Sequence, residues 1–175
     1  MVCKVWELLQ REVNNARVDN LTDLLNRRGF MEAFEDHVKL AKRFNASLSI
    51  AFIDLDHFKQ LNDNRGHKEG DAALKTVGAT LLNATRSIDV VGRLGGDEFC
   101  VVAFSKSSND AEIKVLRLHA QLTRALLKFA PVGVSIGVAF FNDAELSATE
   151  MIQKADEIMY AVKKAGKGNV CVEVI

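Results

Sequence analysis

Val90-Val91-Gly92-Arg93-Leu94-Gly95-Gly96-Asp97-Glu98-Phe99-Cys100-Val101-Val102-Ala103-Phe104 reads as two β-type runs, 90–94 and 98–104, on either side of a glycine pair. Glycine tolerates the positive φ angles that a two-residue turn demands, so Gly95-Gly96 predicts a hairpin with Asp97 and Glu98 just past its turn. Upstream, Leu48 to Asp54 (Leu-Ser-Ile-Ala-Phe-Ile-Asp) is mostly apolar and reads as a central strand. Helical patterns at about 56–64 and 68–84 separate it from the hairpin. Downstream lie a helix of about 109–129 and a strand over 132–141. Strand, helix, hairpin, helix, strand is the ferredoxin-like arrangement, so the predicted class is α/β (an α+β sandwich): a mainly antiparallel central sheet flanked by helices.

Further elements extend this core at both ends. A helix of about 27–45 carries Phe30, Phe34, Val38 and Ala41 as one stripe, after a polar, turn-like stretch at 20–28. Ser147-Ala148-Thr149-Glu150 is a capping box that opens a helix with Met151, Ala155, Ile158, Met159 and Val162 inward. Gly166 stops that helix, and Val170 to Val174 makes a last strand. Residues 2–18 place Val5, Leu8, Leu9, Val13 and Ala16 at helical spacing. That helix has two readings: packed on its own domain, or continued upstream as a coiled coil. The expected division is a linker helix at 1–18 and one domain at 19–175.

Composition narrows the function. A chain of 175 residues, 48% hydrophobic and 26% charged, suits one folded domain with its own core. Its 23 Lys and Arg balance 23 Asp and Glu, which argues against a nucleic-acid polymer as partner. Cys3, Cys100 and Cys171 are odd in number and widely spaced, so neither a disulfide framework nor a structural zinc site is expected. The longest apolar run, Phe99 to Phe104, is far short of the ~20 residues of a membrane-spanning helix. No segment has the order of a signal peptide, so the expectation is a cytoplasmic domain without membrane contact.

The candidate chemistry is acidic. Asp54 ends the central strand and Asp97 follows the hairpin turn; pairing of the two elements would bring them to one edge of the sheet. Two carboxylates about 4 Å apart repel by roughly 4 kcal/mol at an effective dielectric of 20, so such a pair holds either a proton or a cation. Hard oxygen donors with no His or Cys beside them favour Mg²⁺. Asp56 reads as the N-cap of the next helix, and Glu98 has a plain alternative as a solvated hairpin charge. The amides of His57 and Phe58 would open the helix after Asp56, a place suited to phosphate, with Lys59 beside them. Lys163 and Lys167 flank Gly166, where interaction with the helix dipole is the simpler account. His67 and His119 are not ligand candidates, and His67, in a motif turn, reads as structural.

Arg93-Leu94-Gly95-Gly96-Asp97-Glu98-Phe99 resembles the signature of the GGDEF family, the diguanylate cyclases. A second signature supports it: Asp54-Leu55-Asp56-His57-Phe58-Lys59-Gln60-Leu61-Asn62-Asp63, continuing to Gly66, His67, Gly70 and Asp71. Leu21 to Arg28 resembles the family's N-terminal turn, with Asp23 where glycine is usual, and Ala155 to Lys163 its last helix. The resemblance covers about 19–172 and implies a ferredoxin-like sheet of the nucleotidyl-cyclase, palm-like kind.

The activity implied by that resemblance is condensation of two GTP into cyclic di-GMP, with release of two pyrophosphates, across a homodimer. By position, Asp54, the Leu55 carbonyl, Asp97 and Glu98 would hold Mg²⁺, with Mn²⁺ as an alternative. Asp97, Glu98 and Lys59 would serve catalysis. Asn62 and Asp71 would read guanine, since carboxylate and amide oxygens accept from its N1–H and 2-amino group, which adenine lacks; this argues against an ATP-using cyclase. His57, Phe58, Gly95, Gly96, Lys163 and Lys167 complete the substrate site. Arg86-Ser87-Ile88-Asp89 resembles the family's product-inhibition site for cyclic di-GMP, with Arg117 a looser candidate beside it. An upstream sensor domain is implied for the parent protein, which could be membrane-anchored. The alternative from another class is a silent module that binds GTP or cyclic di-GMP without turnover.

Overall fold

The computed structural model describes residues 17–175. Its elements are β1 (Leu25–Asn26), α1 (Arg27–Phe44), β2 (Leu48–Asp56), α2 (Phe58–Arg65), α3 (His67–Ala84), β3 (Val90–Gly95), β4 (Glu98–Phe104), α4 (Ser108–Leu126), a single 3₁₀ turn (Leu127–Phe129), β5 (Gly133–Phe141), α5 (Ala148–Lys164) and β6 (Val170–Val174). The strands form one sheet in the order β1-β3-β4-β2-β5-β6. The central pairs β3–β4, β4–β2 and β2–β5 are antiparallel; the outer pairs β1–β3 and β5–β6 are parallel. This is the expected ferredoxin-like core with one strand added at each edge.

Alternation along the strands decides what each face buries. Ala51, Ile53, Leu55, Phe99 and Val101 join a core under α3 and α4, with Ala73, Leu74, Val77, Val115, Leu118 and Leu122. Leu48, Ile50, Phe52, Cys100 and Val102 face the other way, against Phe30, Phe34 and Val38 of α1 and Met151, Ala155 and Ile158 of α5. The capping box of Ser147 and Glu150 is present at the start of α5. α1 takes its own cap from Asn26, whose side chain accepts from the Gly29 amide at 3.0 Å.

Four expectations about boundaries need correction. β2 runs on to Asp56, so the next helix begins at Phe58 with His57 as its N-cap in the left-handed region, φ 59°. Asp56 is therefore a strand residue and not a cap. The hairpin pairs Gly95 with Glu98, so its turn residues are Gly96 and Asp97, and the register shifts between Arg93 and Gly95. Pairing of Arg93 with Phe99 is one residue off the register that a Gly95-Gly96 turn requires, which puts Asp97 in the turn instead of past it, and the bulge at Leu94 then tightens the turn to two residues. Leu25–Asn26 is a short strand within the stretch read as a turn, and α4 gives way to a 3₁₀ turn at Leu127. The helix expected over 2–18 lies outside the described residues except for its end, where Val18 makes a β-bridge with Leu25. Asp23 adopts φ 60°, which explains why glycine suits that turn and why aspartate is tolerated there.

α5 can lie against β5 only because position 137 is glycine. A Cβ there would stand 2.1 Å from the Met159 amide nitrogen and 2.5 Å from the Ala155 carbonyl oxygen, both backbone atoms that cannot swing aside. Gly137→Ala is expected to destabilise the fold by about 3 kcal/mol or more in urea unfolding. A change below about 0.5 kcal/mol would show that α5 is free to shift.

Candidate active site

The same alternation that builds the two cores sets Asp54 and Asp56 on the α5 face of β2, at the end where the hairpin turns. Asp54 and Glu98 are directly paired across β2 and β4. The Leu55 amide donates to the Asp97 carbonyl at 3.3 Å, which ties the turn to the strand. The acidic residues thus converge at one end of the sheet, on its central strand, and not along a lateral edge. Asp54 is only 7% exposed. Burial pushes its carboxyl up to about 6; the Lys163 ammonium, hydrogen-bonded to it from the last turn of α5, pulls the other way, and the neighbouring Asp97 and Glu98 add to the rise. Lys163 is therefore placed on Asp54 itself. Arg27, which sequence reasoning missed, donates to the Leu94 carbonyl at 3.0 Å and brings its guanidinium to 3.9 Å from Glu98.

Asp56 has a different fate. It is 3% exposed, yet its two oxygens lie 2.9 and 2.8 Å from the Ser135 hydroxyl, and the Gly168 amide donates to it at 2.9 Å. The charge is satisfied within the protein. In doing so it pins the loop after α5, where Gly166, Lys167 and Gly168 all take positive φ (131°, 65° and 62°). Asp56 and Ser135 thereby fix where Lys167 stands. The signal for Ser135 was a hydroxyl in an otherwise apolar strand.

Asn62, on α2, packs against the start of α3. A Cβ on Gly70 would lie 1.9 Å from Asn62 Oδ1, so only glycine admits the amide there. Asn62 Oδ1 is buried without a hydrogen-bond partner. Leaving such an acceptor unpaired costs about 1–3 kcal/mol, so it marks a place made for a donor. Asp71 is the next residue on α3 and exposed. His57 gives α2 no side-chain cap. Its backbone, the amide of Phe58 and the exposed Lys59 stand immediately beyond the buried end of β2.

The glycine turn is open: nothing lies within 4 Å of where a Cβ on Gly95 or Gly96 would be, and both take positive φ. Arg93 holds it from behind, donating to the Gly96 carbonyl at 3.0 and 2.8 Å and to both carboxylate oxygens of Asp19 at 3.2 Å. Arg86 and Asp89 stand apart from this site. The Asp89 carboxylate accepts from the Arg86 backbone amide at 2.8 Å, closing a local turn. Both side chains line a cavity of about 230 Å³ between the end of α3 and α4, and Arg117 lines it too. His119 meets the Val134 carbonyl at 3.1 Å.

Among the described residues no three His, Cys, Asp or Glu side chains close on a common ion. The Asp97 charge is near enough to raise the Asp54 carboxyl, and hard carboxylate oxygens of this kind suit a small divalent cation completed by water and phosphate oxygens. The ammonium already resting on Asp54 shows that this end of the sheet draws positive charge.

Residues 16–169 match the family described as "Diguanylate cyclase, GGDEF domain". The cyclic di-GMP phosphodiesterase NbdA of Pseudomonas aeruginosa is 37% identical over 161 residues, 88% of this chain and 20% of that protein. The diguanylate cyclase DosC of Escherichia coli is 37% identical over 158 residues, 87% of this chain and 34% of its own length. The chain thus spans a fifth to a third of these relatives. A solved structure of a microbial GGDEF domain with bis-(3′,5′)-cyclic di-GMP superposes with a TM-score of 0.80 at 33% identity, covering 91% of this chain and all of that one. The coiled coil and GGDEF domain of DgcB from Caulobacter crescentus shares the fold, with a TM-score of 0.84 over 98% of this chain and 93% of its own, at 24% identity.

A carboxyl raised from 3.8 to about 6 binds its proton more tightly folded than unfolded, so Asp54 withdraws stability as pH rises through that window and leaves the neutral-pH protein weaker. Asp54→Asn is therefore expected to raise the melting temperature at pH 7.5, without divalent cation, by on the order of 5 °C. An unchanged or lower value would show that Lys163 already compensates Asp54 in full.

Proposed function

Because the chain belongs to the GGDEF family of diguanylate cyclase domains, we propose that it condenses two GTP into one cyclic di-GMP with release of two pyrophosphates. The observation that carries this reading is the orphaned Asn62 Oδ1, held against Gly70 one residue before Asp71, since guanine offers donors to such acceptors and adenine does not. Asn62 and Asp71 accept from the 2-amino group and N1–H of the base. The backbone amides at His57 and Phe58, with Lys59 and Lys167, receive the triphosphate, and the open turn at Gly95 and Gly96 lets the nucleotide approach the backbone closely. Asp54, Asp97, Glu98 and the Leu55 carbonyl would hold Mg²⁺ or Mn²⁺, drawn together by the arriving ion. When bound, that cation neutralises charge on the reacting phosphate.

In this reading Glu98 accepts the proton of the attacking ribose 3′-hydroxyl, while Lys59 stabilises the departing pyrophosphate. Lys163, paired with Asp54, is the ammonium that an arriving triphosphate would draw away. Each domain holds one nucleotide, so the reaction needs two domains facing each other, and much of the rate comes from holding the two substrates in line. Arg86 and Asp89 bind cyclic di-GMP as a feedback inhibitor, supported by Arg117 in the same cavity. We place the domain, 19–175, in the cytoplasm, where GTP is made, under an upstream sensor joined through the N-terminal segment.

A second reading has one specific support: NbdA, which matches this chain, is named a phosphodiesterase. In such a protein this domain could bind nucleotide as a receptor without turnover. The test is incubation with GTP and Mg²⁺ after stripping bound cyclic di-GMP. Cyclic di-GMP is expected from the intact chain, none from ATP, and at least about a hundredfold less from Asp97→Ala. No product at protein concentrations that force dimers would select the receptor reading.

A further inference from the structure

His37 lies on α1, away from the acidic end of the sheet. Its Nδ1 is 3.0 Å from the Ala33 carbonyl oxygen, one turn back on the same helix. Its Nε2 is 2.8 Å from the Ile88 carbonyl oxygen, 51 residues away in sequence. The ring stacks on Phe104 at 5.3 Å between centroids. Both partners are carbonyls and can only accept. A neutral imidazole has one N–H, so one of the two contacts would set a nitrogen lone pair against an oxygen lone pair. The imidazolium donates at both. The arrangement is complete only when the ring is charged.

The Ile88 carbonyl sits inside the Arg86–Asp89 turn, which is closed by the Arg86 amide on the Asp89 carboxylate and by the Asp89 amide on the Arg86 carbonyl at 3.0 Å. The Ile88 side chain is 57% exposed, so apolar burial does not fasten the turn at that point. His37 reaches it from α1 and ties it to the body of the fold. We infer that His37 is a positioning residue for the inhibitory turn, and that the turn holds its binding shape when His37 is protonated. This rests on the reading of Arg86 and Asp89 as the cyclic di-GMP site.

The charged groups around the ring do not offer a rival titration. On α1, Asp36 is paired with Lys39 at 2.8 Å. The turn itself brings Arg86 and Asp89. Beside Phe104, Lys114 of α4 is bonded to Asp110 at 2.7 Å and to the Phe104 carbonyl at 3.1 Å. Carboxylates, lysines and arginines ordinarily keep one charge state between pH 6 and 8, whereas imidazole changes its own there.

The experiment is calorimetric titration of cyclic di-GMP into the full chain, freed of bound product, at about pH 6 and pH 8. The intact chain is expected to bind about three- to tenfold more weakly at the higher pH. His37→Phe keeps a ring for the Phe104 stack but has no donor, so it should show the weaker affinity at both pH values. His37→Gln, whose amide donates but gains no charge over this pH range, should lose the same pH dependence. Neither change should alter the initial rate of synthesis while product is removed. Arg86→Ala is the control for the underlying site: if it still binds, the site reading fails. If Arg86→Ala abolishes binding while His37→Phe keeps the wild-type pH dependence, His37 has no such role and the inference is overturned.

Discussion

A strand buried on both faces that ends in two carboxylates is the constraint on which the rest of this structure depends. β2 is the central strand of the sheet, and all nine of its residues are buried. The period of two turns Asp54 and Asp56 to the same face, two residues apart, where water cannot solvate either one well. Each charge needs partners brought from elsewhere in the chain. Asp56 receives two neutral donors, one from β5 and one from the loop after α5. Asp54 receives a single lysine from the end of α5. One carboxylate is thus spent on architecture and the other is left reactive, although their sequence neighbourhoods are almost the same.

That division makes α5 and its trailing loop the second half of the site. The helix is seated by Gly137, where backbone meets backbone, and its last turn then delivers Lys163 to Asp54. The loop beyond turns through three residues of positive φ, a conformation that would not persist unaided in a chain containing Lys167. Its anchor is the Gly168 amide on Asp56, with a further bond from that amide to Ser135 at 3.1 Å. On the hairpin side Arg93 does the equivalent, gripping the Gly96 carbonyl while its other nitrogen reaches Asp19. The turn that carries Asp97 is thereby joined to the first described residues of the chain, which also stop α1 at close range: a Cβ on Gly29 would lie 2.3 Å from the Arg17 carbonyl oxygen.

Local signals account for what could be read in the sequence. Helical stripes, the capping box, the apolar run of β2 and the glycine-centred hairpin each lie within a window of a few residues, and each stands in the fold. The misses have a common physical form. Asp56 has the composition of an N-cap, but its partners are 79 and 112 residues away, and they extended the strand through it. The hairpin turn lies one residue later than expected because the ladder pairs Arg93 with Phe99, and a bulge near Leu94 then brings Gly95 onto Glu98. Arg27, Ser135 and His37 carry no motif of their own; each matters through a single contact with a distant element. Residue types at fixed spacing disclosed the site, while the parts that hold it were legible only in three dimensions.

The two places where this domain is least comfortable lie on either side of β2's end. Asp54 keeps a carboxyl that burial pushes up to about 6, and Asn62 keeps an acceptor with no donor. A fold selected for stability alone would have closed both, with an amide at 54 and a larger residue in place of Gly70 that displaced Asn62. It has instead spent a glycine to keep the Asn62 oxygen where it is. Both defects have the same remedy in kind: a cationic or donor group arriving from outside, in the one region where the backbone of α2 and the bare hairpin turn also leave room. A nucleotide with its metal brings donors on the base and positive charge at the phosphates, so one ligand would relieve both strains at once. Binding energy of that sort is gained against a protein already held in the bound geometry, which is how preorganisation turns instability in the free domain into affinity and rate.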